Sequence, residues 1–149
     1  MIHNFGEVVP GQLWRSGRYT ASALCHMVRQ CGIRQVIDLR DREAALLAAR
    51  TYRRMGISFV RYPLDETKGL PDDALEVWDG VTPTLIHCWK GAHRTGAWVA
   101  RLRLERMGWT ATAVHDELMG YGFGRIADHH ELYKSIWRGY ESHFSMQHG

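Results

Sequence analysis

Cysteine and proline are both scarce, with three of the first and four of the second in 149 residues. An odd, low cysteine count excludes a disulfide-stapled scaffold and points to a reducing compartment, the cytoplasm. Few prolines and no low-complexity tract exclude wholesale disorder. No apolar run approaches the roughly 18 residues of a membrane-spanning helix. The opening segment Met1-Ile2-His3-Asn4-Phe5-Gly6-Glu7 has neither the basic nor the apolar stretch of a secretion signal. Charge of one sign is lacking too. The 19 Lys and Arg against 16 Asp and Glu leave a net +3, which suits an anionic ligand but is too weak to argue for nucleic acid. What is present is an ordinary globular composition, 45% hydrophobic and long enough to bury one core.

Short β-like runs alternate with amphipathic stretches, the pattern of a single α/β domain. Gln12–Arg15, Gln35–Leu39, Ile57–Tyr62 and Thr84–His87 read as strands. Leu24, Met27, Val28 and Cys31 recur at helical spacing over Ser22–Cys31, and Gly32 follows where a C-terminal cap sits. Ala44–Met55, rich in Ala and Leu, reads as a second helix stopped by Gly56. Pro71-Asp72-Asp73 resembles a helix start. Thr95–Met107 should be a deeply packed helix, with further helices at about Thr112–Met119 and His129–Tyr140. Cys25 and Cys31 fall on a helix face, and His129-His130 falls at a solvated helix start.

The informative stretch is His87-Cys88-Trp89-Lys90-Gly91-Ala92-His93-Arg94-Thr95-Gly96, which joins an apolar strand to a helix. A loop of this length can curl its N–H groups toward one point and, with the following helix N-terminus, form an anion-binding nest. Cys88 at its base would be stabilised as a thiolate by those donors and by Arg94. The planar fork of Arg94 suits two phosphate oxygens. Thr95 is placed to donate to the sulfur, and Gly91 permits a turn that a side chain would obstruct. His87 is placed to orient the loop through a backbone hydrogen bond, and Trp89 to wall the pocket. Transition-metal sites need three or four ligands, and no second cluster with zinc spacing joins His87 and His93. Neither a metal nor an organic cofactor is expected.

The loop resembles the Cys-x5-Arg-Ser/Thr signature of the protein tyrosine phosphatase superfamily, in the His-Cys-x-x-Gly-x-x-Arg-Thr-Gly form of its dual-specificity branch. Asn4-Phe5, Leu13-Trp14-Arg15-Ser16-Gly17, Gly32 to Arg40 and Tyr121-Gly122-Phe123-Gly124 are similar to segments of the small atypical dual-specificity phosphatases of bacteria, plants and fungi. The resemblance implies a cysteine-dependent phosphatase domain over residues 1–149, with a mixed, mostly parallel sheet of four to five strands flanked by helices. It implies a phosphocysteine intermediate on Cys88, with Trp89, Lys90, Gly91, Ala92, His93 and Arg94 as the phosphate-binding loop. The expected substrate is a phosphorylated protein or a small phosphorylated molecule: phosphotyrosine, phosphoserine, or an inositol phosphate or pyrophosphate. Trp89 and Ala92 stand where related loops often carry Lys, which thins the positive charge a highly anionic substrate would meet.

The family also employs an Asp, on a loop upstream of the Cys, to protonate the leaving oxygen. Asp65 in Tyr62-Pro63-Leu64-Asp65 and Asp72 in Leu70-Pro71-Asp72 are the two candidates. Asp65 is favoured, because a loop Asp beyond a strand lacks the helix-capping duty that explains Asp72. Arg40 and Arg42 follow a strand end, where ligand loops gather in α/β sheets, although a solvated turn explains them equally. Two other classes remain open at this point. One is a phosphate-binding module without turnover. The other is a thiol redox enzyme of the arsenate reductase kind, which would need a resolving cysteine nearby.

Overall fold

Alternation along three neighbouring strands divides the protein into two layers around a sheet. In the computed structural model, which describes residues 1–140, the strands are β1 (Gly6–Val9), β2 (Leu13–Ser16), β3 (Gln35–Asp38), β4 (Ser58–Arg61) and β5 (Thr84–His87). Their order is β1-β2-β5-β3-β4, with β1 antiparallel and the rest parallel. Trp14, Leu85 and Val36 lie side by side in register and join the buried cluster under α1 (Ala21–Cys31) and α2 (Ala49–Arg54). One residue on, Ile86 and Ile37 face the opposite way. With Leu13 they join the larger core under α3 (Arg94–Arg106), α4 (Ala111–Gly120) and α5 (His130–Ile136). A strand shows successive side chains to opposite faces, so near-continuous apolar runs mark strands covered on both sides.

The helix signals act as read at α1. The Thr20 hydroxyl accepts from the Ala23 N–H, and Gly32 closes the C-terminus at φ +75°. Helix α3 is buried along nearly its whole length from Arg94 to Leu104.

Four expectations need correction. The first strand of the sheet, β1, is one that periodicity did not flag. Pro10-Gly11 turns it into β2, with Gly11 at φ +71° and the Gln12 N–H donating to the Val9 carbonyl. The helix expected from Ala44 begins only at Ala49. The Glu43 and Ala44 carbonyls accept from Arg61 and Arg40 side chains, and such bonds compete with a helical ladder. The last helix begins after a 3-10 turn at Ile126–His129 and spans only His130–Ile136. Asp72 and Asp73 cap no helix through their side chains. Asp72 pairs with Arg138, and Asp73 accepts from the Tyr62 hydroxyl at 3.2 Å.

Candidate active site

At the carboxyl ends of the parallel strands, Ser16, His87 and Asp38 lie in one register, and the loop 88–93 rises beyond His87. Cys88 sits at its base, 2% exposed, and the Gly91 N–H donates to its sulfur at 3.3 Å. The loop is held by its carbonyls. The Trp89 carbonyl accepts from the Arg18 N–H at 2.8 Å and from Arg18 Nη1 at 3.3 Å. Asn4 Nδ2 reaches the Lys90 and Gly91 carbonyls, both at 3.3 Å, and the Tyr121 carbonyl at 2.8 Å. Arg15 Nη2 donates to the Gly91 carbonyl at 3.0 Å. A trans peptide points its C=O and N–H in opposite directions, so carbonyls tied outward turn amides toward the cysteine.

Two glycines make this contact possible. A Cβ on Gly91, at φ +72°, would lie 2.5 Å from the Gly17 nitrogen, and one on Gly17 would lie 2.6 Å from the Trp89 oxygen. Arg15 is buried and stacks 3.6 Å from the Tyr121 ring centroid. Burial, opposed by Glu117, lowers its pKa to about 10, which leaves it a cation at neutral pH.

Behind Cys88, the His87 ring is fully buried. Nδ1 lies 3.1 Å from the Cys88 carbonyl, and Nε2 lies 3.2 Å from the Tyr19 hydroxyl, which itself meets the Tyr52 hydroxyl at 2.7 Å. The carbonyl can only accept, so Nδ1 carries the proton and Nε2 accepts from Tyr19. Burial, partly opposed by Asp38, lowers the His87 pKa to about 4, so the ring is neutral. The expectation that His87 orients the loop through a backbone bond holds in this geometry.

Arg94 is the first residue of α3 and is 6% exposed. Nη1 meets Asp41 Oδ1 at 3.3 Å, and Nη2 lies 3.9 Å from Glu43 Oε1. Neither carboxylate was singled out from the sequence. Backbone N–H groups at Glu43 and Arg42, against slight burial, and the nearby Arg94 and Arg40 hold the Glu43 carboxyl below its usual range. Arg40 fits neither of its sequence readings. It is buried against Asp38, with bonds from its backbone N, Nε and Nη2 at 2.9, 3.0 and 2.9 Å. Arg42 is exposed. The Thr95 hydroxyl is fully buried and has no hydrogen-bond partner among the described residues.

Above the loop opens a cleft of about 460 Å³, floored by Cys88 and Arg94 and walled by Trp89, Lys90 and His93. Glu43, Glu66, Arg125, Asp128 and His129 complete it. His129, expected at a solvated helix start, instead stacks on His93 with ring centroids 3.8 Å apart. His93 in turn lies 3.1 Å from the Gly124 carbonyl, and burial lowers its pKa. Trp89 is 44% exposed, and the Arg18 guanidinium lies 4.6 Å from its ring centroid.

Asp65 does not line this cleft, although its neighbour Glu66 does. Contrary to the reason for favouring it, Asp65 has a local structural duty. Its Oδ1 accepts from the Thr67 N–H at 2.9 Å and the Thr67 hydroxyl at 2.6 Å, and these bonds lower its pKa. Cys25, Cys31 and Cys88 are all free thiols. Among the described residues no three His, Cys, Asp or Glu side chains gather as a metal site, and no helix is long and apolar enough to cross a membrane.

A buried cysteine with the Gly91 amide on its sulfur, beside a buried guanidinium at a helix start, is an arrangement suited to receiving an oxyanion. A family model described as the tyrosine phosphatase family matches residues 1–143, and the chain belongs to that family as a small atypical phosphatase. The catalytic core of the PP-IP phosphatase Siw14 from S. cerevisiae, solved with citrate, is 20% identical. It superposes at a TM-score of 0.73, over 95% of this chain and 93% of that one. TpbA from P. aeruginosa is 23% identical with a TM-score of 0.68, over 92% of this chain and 84% of that one. A Cys-to-Ser form of TpbA, solved with pTyr, is 22% identical with a TM-score of 0.65, over 89% and 87%. At these identities the likeness is one of fold. Among curated proteins nothing matches the sequence.

Proposed function

We propose that the protein hydrolyses phosphate monoesters, phosphotyrosine in proteins foremost, through a phosphocysteine formed on Cys88. The observation that carries this is the joint placement of the Cys88 sulfur, the Gly91 amide 3.3 Å from it, and the buried Arg94 on one cleft floor. Substrate phosphate takes the inward amides of Trp89 to Arg94 and the Arg94 fork. The Cys88 thiolate attacks phosphorus in line. An S–P bond forms, the P–O bond to the leaving group breaks, and Asp65 gives that oxygen a proton. Water then attacks phosphorus and passes a proton to Asp65, and the S–P bond breaks. The partnerless Thr95 hydroxyl donates to the departing sulfur.

Asp65 reaches this role only by letting go of Thr67 and turning in beside Glu66. It adjoins Glu66, which lines the cleft, whereas Asp72 is paired with Arg138, which does not.

Two observations favour phosphotyrosine. Trp89 presents a half-exposed ring at the cleft wall, where an aryl ester can pack at about 0.5–1.5 kcal/mol beyond area burial. Three carboxylates (Glu43, Glu66, Asp128) also balance three cations (Lys90, Arg94, Arg125) around the cleft, which leaves little net field for a polyanion. The second reading is an inositol pyrophosphate, favoured by Lys90 and Arg125 as takers of a further phosphate. We further propose that residues 1–149 are one catalytic domain and that it works in the cytoplasm, where a reducing poise keeps Cys88 a thiol.

The test is Cys88→Ser, which should abolish p-nitrophenyl phosphate hydrolysis while vanadate still binds. Retained turnover overturns the mechanism. A matched panel of phosphotyrosine peptide, phosphoserine peptide and inositol pyrophosphate ranks the substrates. Trp89→Ala should raise KM for the first and leave the third unchanged.

A further inference from the structure

Arg61, at the end of β4, neither lines the cleft nor touches the loop, yet it joins two things that matter to both. Its Nη2 donates to Asp38 Oδ2 at 2.7 Å, and its Nη1 donates to the Glu43 carbonyl at 2.5 Å. Asp38 is fully buried at the end of β3, in register with Arg61 on one side and His87 on the other. Burial alone would raise the Asp38 pKa, but the Arg40 bonds outweigh it and keep the carboxylate charged. We propose that Arg61 is a positioning residue for Arg94, acting through the segment that carries Asp41 and Glu43. The inference rests on the reading of Arg94 as the group that grips the phosphate.

The segment from Asp41 to Ala48 forms neither helix nor strand, so no backbone ladder fixes where its carboxylates stand. Two side-chain bonds supply that constraint: Arg61 to the Glu43 carbonyl, and Arg40 Nη2 to the Ala44 carbonyl at 2.8 Å. Both guanidinium groups are anchored on the one carboxylate of Asp38. From this tethered turn Asp41 and Glu43 reach the two terminal nitrogens of Arg94 at 3.3 and 3.9 Å. A planar fork binds two phosphate oxygens only in one orientation, so carboxylates that fix its plane also fix the grip.

Arg40 is committed to Asp38 by three bonds, whereas Arg61 spends one contact there and one on the turn. Its removal therefore takes away the tether at Glu43, leaving only the one from Arg40 to the Ala44 carbonyl, and still leaves the Asp38 charge paired. A lysine, being a point charge, can satisfy the carboxylate or the carbonyl but not both.

The experiment is a double-mutant cycle on the full chain. Arg61→Ala is measured alone and on the background Asp41→Asn with Glu43→Gln. The readouts are kcat/KM on p-nitrophenyl phosphate, inhibition by vanadate, alkylation of Cys88 by iodoacetamide, and the melting temperature. Arg61→Ala should lower kcat/KM and weaken vanadate inhibition together, by about ten- to a hundredfold, the scale of misplacing a reacting group by an ångström. Alkylation of Cys88 should change far less than vanadate inhibition, because the Gly91 amide on its sulfur does not depend on Arg61. On the double background Arg61→Ala should add nothing, and Arg61→Lys should recover part of the loss.

Wild-type vanadate inhibition with only a lowered melting temperature overturns the inference, as does a full multiplicative loss on the double background. Turnover by Cys88→Ser would overturn the phosphatase mechanism itself. Loss of turnover there with an unaffected Arg61→Ala would overturn the positioning role alone.

Discussion

Protonating His87 should destabilise the protein, and the pH window follows from its surroundings. Burial, only partly opposed by Asp38 and the bond to the Cys88 carbonyl, lowers the His87 pKa from 6.5 to about 4. Between those values the unfolded chain takes up a proton that the folded chain refuses, so stability rises with pH across the window. The contribution is complete above pH 6.5 and is lost as pH falls toward 4. The interval from 6.5 to about 4, at about 1.4 kcal/mol per pH unit, comes to about 3 kcal/mol. Urea unfolding of the wild type and of His87→Gln, from pH 7.5 to 4.5, measures it. At pH 7.5 the variant should be less stable by about 1–3 kcal/mol, because the Tyr19 hydroxyl and the Cys88 carbonyl lose their shared partner. Toward pH 4.5 the gap should narrow by about 2–3 kcal/mol, since the variant has no ring to protonate. Other groups titrate alike in both proteins and cancel. A gap that stays constant over the range would refute the claim that a neutral imidazole is built into the site.

Gly91→Ala places a Cβ 2.5 Å from the Gly17 nitrogen at φ +72°, so it should cost at least about 2 kcal/mol in urea unfolding and abolish vanadate binding. Asn4→Ala releases the Lys90, Gly91 and Tyr121 carbonyls, and should weaken vanadate binding about tenfold by isothermal titration while costing about 1–2 kcal/mol of stability. Asp65→Asn should reduce kcat about a hundredfold on an alkyl phosphate, with a smaller loss on p-nitrophenyl phosphate, whose leaving group needs less help. Thr67→Val removes the hydroxyl bond, the stronger of the two that favour the charged Asp65, so its pKa should rise and the basic limb of the kcat profile should move to higher pH. An unmoved limb, or a larger loss in Asp72→Asn, would transfer the role to Asp72.

The parts of this site that follow one another in the chain were legible in the sequence; the parts that meet across it were not. Cys88, Gly91, Arg94 and Thr95 sit at fixed offsets in one loop, and His87 bonds to its own neighbour's carbonyl. Trp89 follows Cys88 directly in that loop and so falls on the cleft wall. Asp41 and Glu43 lie far from Arg94 in sequence, and the alanines and leucines after them carry a strong helix signal. That propensity loses to Arg40 and Arg61, which take the carbonyls a helix would use. Similarly, His129 could be read only as a helix-start polar residue until the Gly122 and Arg125 turns brought it onto His93. Strand β1 was readable in principle: Pro10-Gly11 is turn chemistry, and Glu7 opposite Trp14 gives a half-polar edge. A charged residue in a wholly buried strand, Arg15 in Leu13–Ser16, was the remaining clue that some backbone carbonyl nearby had to be satisfied.

That last clue explains why so much of the chain serves six residues of loop. Amides turned toward one point have parallel dipoles that repel one another when no anion is present, so an empty nest tends to relax. Here the outward carbonyl ends of those dipoles face the Asn4 amide, the Arg15 guanidinium and both the backbone and side chain of Arg18. Two of these donors are cationic, and Arg15 is buried, where a charge–dipole contact is screened least. The anion site is thus held open from behind by positive charge that never meets the anion. In the proposed reaction such preorganisation would let the loop favour the transition state without reorganising as the reaction proceeds. It also accounts for a cluster of basic residues near the amino terminus that a reading by net charge alone would assign to substrate attraction.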